Sequence, residues 1–131
     1  MRKMVLKSRY KTELIDLSAT VNEEIIRMGL DHGAVNIFVP HSTCSIFVCE
    51  NQDPNIQRDL LKKLHDFFPA DGQYAHVGGN GDAHLKASIM GSNTTIPVQN
   101  ARMLLGPWQG LFFADFDGPR ERNYFVSMLS S

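Results

Sequence analysis

At 131 residues the chain has the length of one domain, enough to bury a core without disulfides or a structural metal. Thirteen basic against fourteen acidic residues give a formal charge of -1, which removes the usual electrostatic case for a nucleic-acid or anionic-membrane partner. No apolar run approaches the ~20 residues that span a bilayer, and Met1-Arg-Lys leads into a strand-like segment rather than a secretory signal, so a soluble, cytoplasmic protein is expected.

The segment 4–18 alternates well enough for two short strands or one bent strand, with Met4, Leu6, Leu14, Ile15 and Leu17 as its apolar positions. A helix should begin between Ser18 and Thr20. Thr20 and Glu23 fit a capping box, Val21, Ile25 and Met28 share a face, and Gly29 and Gly33 bracket the end. Glu23 and Glu24 read as a solvated helix face near the favourable end of the dipole. Residues 34–39 form a strand that Pro40 interrupts, and 44–50 resume as a strand apolar on both sides, hence covered on both faces. Two strands so close suggest an antiparallel hairpin, with His41 to Thr43 in or beside the connection. Cys44 and Cys49 lie five apart on the second strand and point to opposite faces, so they are expected to stay reduced and packed.

Asp53 before Pro54 opens a helix as N-cap and first helical residue, and Ile56, Leu60, Leu64 and Phe67 form its apolar stripe. Residues 69–82 are loop-like and contain Gly78, Gly79 and Gly81. Asp82 is then expected to cap a helix over 83–90 that Gly91 closes. The last third reads as β. Residues 94–98 form a strand whose Pro97 argues for an edge or bulge, 101–105 a strand or turn, and 109–116 with 121–129 a hairpin around Asp117-Gly-Pro-Arg. About three helices and six to seven strands, partly segregated, predict a single-domain α+β fold rather than alternating βαβ units.

Of five histidines, His32 and His65 suit surface or capping roles, His65 because a cation suits the end of its helix. His41, His76 and His84 each lie at an element boundary among small polar residues. Three imidazoles leave positions open for water or substrate, the arrangement of a catalytic divalent metal site, with zinc the foremost candidate. Their spacing is not diagnostic, and the Gly78 to Asp82 loop opening a helix also suits an anion, with Lys86 one turn inside as a point charge. Metal, anion or neither are the open readings. Asp82 and Glu50 are the carboxylates best placed for acid–base work or for orienting a ligating imidazole. Glu50, closing an apolar strand, needs a partner or a wet cavity. Ser42 and Ser45 near His41 have no third group to complete a nucleophilic triad.

His41-Ser-Thr, Glu50-Asn-Gln-Asp-Pro, Asn80-Gly-Asp-Ala-His-Leu-Lys-Ala-Ser, Gly106-Pro-Trp-Gln-Gly and Phe116-Asp-Gly-Pro-Arg, in that order, resemble the YjbQ-like family, also called the secondary thiamine-phosphate synthase family. The resemblance covers nearly the whole chain. It implies an α+β fold built on a mostly antiparallel β-sandwich, and a homotrimer with sites near subunit contacts. It also implies a polar cluster that adds Thr43, Asn51, Asp53, Gly79, Asn80, Ser88 and Gln109, as substrate-binding or supporting groups, to the histidines, Glu50, Asp82 and Lys86. The activity implied joins a pyrimidine pyrophosphate to a thiazole phosphate, so a small phosphorylated molecule is the expected ligand; the alternative is a non-catalytic trimeric module that binds an anion or metabolite. Three positions depart from the family pattern: Gly78 stands for a common glutamate, Pro107 for a threonine and Cys44 for a threonine.

Overall fold

The computed structural model describes residues 1–130. In chain order they form β1 (Arg2–Lys7), β2 (Glu13–Asp16), α1 (Ser18–Arg27), β3 (Gly33–Phe38), β4 (Cys44–Glu50), α2 (Pro54–Phe67), α3 (Gly81–Met90), β5 (Asn93–Gln99), β6 (Arg102–Met103), β7 (Gln109–Asp115) and β8 (Glu121–Ser130). All pairings are antiparallel, in a five-stranded sheet of order β1-β8-β3-β5-β6 and a three-stranded sheet of order β2-β7-β4. The expected single α+β domain with about three helices takes the form of three helices and two antiparallel sheets. Among the described residues no helix is long and apolar enough to cross a membrane.

The small sheet is covered on both faces, which is why β4 and β7 read as nearly continuous apolar runs. Side chains alternate across a strand. Ile46, Leu111 and Phe113 therefore meet Val35, Ile37, Tyr124 and Val126 of the large sheet, with Val21 and Ile25 of α1, in one core. Phe47, Phe112 and Ala114 face the other way, onto Leu64 of α2 and Ala83 and Ala87 of α3. Cys44 joins the first core, Cys49 packs on the second, and both are free thiols.

Two expected hairpins are absent. β3 pairs with β5 and β8, whereas β4 pairs with β7 in the other sheet. Likewise β7 and β8, joined by the Asp117 turn, belong to different sheets. In both places the connection turns a corner between layers, so that each strand buries its own apolar face against the opposite sheet. Pro97 does sit on a nearly open edge, since β6 covers only Val98 and Gln99 of β5.

The helix starts also differ from expectation. α1 begins at Ser18 after Leu17 without a side-chain cap, so Thr20 and Glu23 form no capping box. Glu24 is not solvated: it is buried and held by Arg2 at 2.8 Å and Arg27 at 3.0 Å. Asp53 caps α2 as expected, its carboxylate accepting from the Asn55 N–H at 2.9 Å. The stripe of α2, however, is Leu60, Leu61 and Leu64, while Ile56 and Phe67 are exposed. α3 begins two residues early, so Asn80 takes the cap position and Asp82 falls inside the first turn, buried.

Candidate functional site

The connection from β3 to β4 carries His41 and Thr43, and two contacts from the start of β8 fix it. The Asn123 N–H donates to His41 Nε2 at 2.9 Å, and Arg122 Nη2 donates to Thr43 Oγ1 at 2.8 Å. A ring nitrogen that accepts from a backbone amide carries no proton, so the neutral His41 ring holds its hydrogen on Nδ1. Burial and the neighbouring Arg122 charge both depress the His41 pKa below its usual value, which keeps this neutral form dominant.

Arg122 is itself clamped. Its Nε and Nη2 donate to the two oxygens of Asp115 at 2.9 and 3.0 Å, and Ser8 Oγ adds a 2.7 Å bond to the same carboxylate. Burial alone would raise the Asp115 pKa, but Arg122, Ser8 and the Asp117 N–H together hold it below the usual carboxylate range. Two residues on, Asp117 accepts from Lys11 and Arg120, each at 2.7 Å, and from Asn80 Nδ2 at 2.9 Å. Burial opposes ionisation there too, and the bonds from Lys11 and Asn80 outweigh it, so Asp117 is also held low.

This second carboxylate sets the chemistry of the next histidine. Because Asn80 gives its N–H to Asp117, its Oδ1 is the atom facing His76 Nε2, 2.8 Å away. His76 must then donate through Nε2–H, leaving Nδ1 as a free lone pair in the neutral ring. The His76 and His84 rings meet edge to face with centroids 5.0 Å apart. The Asn123 N–H and, through Asn80, Asp117 thus favour opposite neutral tautomers at His41 and His76.

His84 lies between two depressions. One, of about 370 Å³, is lined by His41, Ser42, His84, Ser88 and Ser92 with Phe38 and Val39, and contains no carboxylate. The other is lined by Tyr74, His76, Gly81, His84 and Leu85. Cys44 reaches the first pocket, but burial and the nearby Asp115 push its thiol up to about 12, so it is no nucleophile.

The remaining predicted residues divide. Asp82 and Lys86 lie on α3 beside His84, but they are buried against each other with Nζ to Oδ2 at 2.8 Å. Lys86 is therefore not the free point charge expected, and Asp82 is not the helix cap. The second Asp82 oxygen is buried without a hydrogen-bond partner. Ser88 returns its hydroxyl to the His84 carbonyl at 2.9 Å. Gly79, with φ +76°, supplies the turn before α3.

Glu50, Asn51 and Gln109 are elsewhere. Glu50 ends β4 opposite Gln109, whereas Cys44 begins it opposite Asp115. Six residues of extended strand separate those ends by roughly 20 Å at ~3.3 Å per residue. Glu50 therefore cannot serve the histidines of its own chain. Its two oxygens accept from the Asp53 N–H at 3.1 and 3.0 Å, the partner that its position demanded.

The three imidazoles do not make a ready metal centre. Among the described residues no group of three or more His, Cys, Asp or Glu side chains is placed to hold an ion. In addition, the lone-pair nitrogen of His41 is already engaged by Asn123. His76 Nδ1 and His84 are the nitrogens open to a metal. The sequence reading missed Asp115, Arg122 and Asn123 altogether. An acid ending the largely apolar β7, and an arginine three residues after a Gly-Pro pair, were the available signals.

The comparisons agree with this fold. A protein of Methanocaldococcus jannaschii, UPF0047 protein MJ1081, is 38% identical over 131 residues, covering 97% of this chain and 95% of its own. UPF0047 protein YugU of Bacillus subtilis is 34% identical, covering 98% of each chain. The crystal structure of an uncharacterised YjbQ/UPF0047-family protein of Clostridium acetobutylicum superposes with a TM-score of 0.95 at 40% identity, over 98% of this chain and 100% of that one. A hypothetical protein of Aeropyrum pernix superposes with a TM-score of 0.92 at 29% identity, over 99% and 98%. The family model for UPF0047 protein YjbQ-like matches residues 2–131, and the chain belongs to that family.

Proposed function

We propose that the pocket shared by His41 and His84 binds the phosphate or pyrophosphate group of a small molecule, with His41 Nδ1–H as a fixed neutral donor and His84 as the proton carrier. The observation that carries this reading is the Asn123 bond to His41 Nε2, in a pocket lined by serine hydroxyls and free of carboxylates. A neutral imidazole held as donor stabilises developing negative charge without first losing a proton, and a second imidazole in the same pocket supplies a group able to carry a proton. Thiamine-phosphate-synthase-like transfer is the activity to assay, since its substrates carry pyrophosphate and phosphate groups.

Calorimetric titration with inorganic pyrophosphate and with the pyrimidine pyrophosphate and thiazole phosphate precursors tests the proposal. Saturable binding that is lost in His41→Ala and His84→Ala, with the thermal transition retained, is expected. Wild-type protein that binds none of the three overturns it.

A second reading rests on the His76–His84 ring contact. His76 Nδ1 and His84 would hold a divalent ion, zinc foremost, whose charge would assist an anionic ligand; one structural feature against a third protein ligand is the engaged nitrogen of His41. Elemental analysis after incubation with zinc decides it: less than about a tenth of an equivalent bound sinks this reading. We also propose that the chain forms a homotrimer. Val77 is 96% exposed, and Ile89 of α3 is 68% exposed, leaving apolar surface for a second copy to cover. Sedimentation equilibrium giving a monomer would refute that.

A further inference from the structure

A cavity of about 510 Å³ lies apart from the histidine pocket. It lies at the far end of β4, between the start of α1, the β5–β6 turn and the 104–107 segment. Its polar lining includes Ser18, Asn22, Arg102 and Gln109, with Leu104 and Leu105 as an apolar wall.

The hydrogen bonds already made by those polar groups determine what they have left to offer. The Met103 N–H donates to Asn22 Oδ1 at 2.9 Å, so the amide is oriented with its acceptor consumed and its NH₂ spare. Gln109 is oriented the same way, its Oε1 accepting from the Gly106 N–H at 2.8 Å. Ser18 Oγ accepts from the Leu111 N–H at 2.9 Å, which leaves its O–H as donor. Arg102 has only donors, and among the described residues it has no ion-pair partner. Three independent backbone amides have thus turned three adaptable side chains into donors around one arginine. No carboxylate lines the cavity. The nearest acid in this network is Asp16, one step behind the lining, whose oxygens take the Ser18 N–H at 2.9 Å and Asn51 Nδ2 at 3.4 Å.

We propose that this cavity is a second ligand site that takes a small oxyanion, a phosphate or carboxylate group, carried by an organic body that rests on Leu104 and Leu105. Asn22, Gln109, Ser18 and Arg102 present spare donors, the Gln99 and Asn100 amides can donate beside them, and with no carboxylate in the lining the set pairs with several acceptor oxygens on one group. The volume exceeds what a bare ion fills, which leaves room for the organic body. The site is distinct from the histidine pocket, with the length of β4 between them.

The test is a site-resolved NMR titration of the full chain with inorganic phosphate and, separately, with acetate. Saturable shifts are expected in the side-chain amides of Asn22 and Gln109 and the backbone amides of Met103 and Gly106 with at least one of the two. Which anion acts distinguishes a phosphate from a carboxylate ligand. Asn22→Asp keeps the oxygen that Met103 needs and replaces the donor by a charge, so binding should weaken at least about tenfold with Met103 still protected. Arg102→Gln, on an exposed strand residue, should weaken it comparably if Asn22→Asp fails to fold. Shifts at His84 and Ser92 report the other pocket separately, so either proposal can fail alone. Absence of saturable shifts at the four amides through the millimolar range, or unchanged affinity in a folded variant, overturns the second site.

Discussion

Arg122→Met is the perturbation whose consequence the structure fixes most tightly. The guanidinium is buried, and so is Asp115, which has no exposed surface; between them run two bonds of 2.9 and 3.0 Å. Methionine fills much of the volume but leaves the carboxylate to be solvated by Ser8 Oγ and the Asp117 N–H alone. Removing one partner of a buried pair costs about 3 to 5 kcal/mol, and the two surviving donors place this case nearer 3. In a domain of ordinary stability, 5 to 15 kcal/mol on the general scale, that is a large fraction. The pH dependence changes too. In the wild type Asp115 is held below its usual value, so its contribution is complete above the unfolded pKa and is lost as pH falls through the folded one. Without Arg122 burial dominates and raises the pKa, so the deficit of the variant is greatest at neutral pH and shrinks as the carboxyl protonates. Urea unfolding at pH 7 and at mildly acidic pH measures both. A loss under ~1 kcal/mol, the value of an exposed ion pair, would refute the reasoning, as would a deficit that grows on acidification.

Lys86→Met should likewise destabilise by about 3 kcal/mol, because it strands Asp82 in the core with neither oxygen bonded, whereas Lys86→Met combined with Asp82→Leu should recover most of the loss. Equal destabilisation in single and double variants, by the same urea method, would show that the pair is not a unit. Native protein treated with iodoacetamide at pH 8 should modify Cys49 before Cys44, since Cys44 is fully buried with its thiol pushed up to about 12. Peptide mass mapping that finds Cys44 labelled first would contradict the packing of β4.

Much of the local structure could be read from the chain. The helical spacing of Val21 and Ile25, the Asp53-Pro54 start of α2 and the two-faced apolar run of β4 each depend on neighbours in sequence, and each has its counterpart in the fold. Strand pairing could not be read the same way. Residues 39–43 and 116–120 look like hairpin connections, yet both cross between sheets, because the choice is made by burial of Ile37 and Phe113 in a shared core. The site was half legible for the same reason. His41, His76 and His84 stand out by composition, and the fold gathers them around His84. The His41 and His76 tautomers are set by Asn123 and, through Asn80, by Asp117, contacts spanning 82 and 37 residues that no local pattern encodes. Gly118 shows how tightly that turn is specified: a Cβ there would collide with the Tyr10 carbonyl oxygen, so the position admits no side chain.

The central claim is that His41 is a neutral donor through Nδ1, and long-range proton–nitrogen correlation spectra of the imidazole rings test it directly. At neutral pH the structure requires a protonated Nδ1 and a bare Nε2 at His41, and a protonated Nε2 at His76. Addition of inorganic pyrophosphate should then shift His41 Nδ1 and His84 while His41 Nε2 stays unprotonated. A His41 ring protonated on Nε2, or one indifferent to pyrophosphate, would contradict the account.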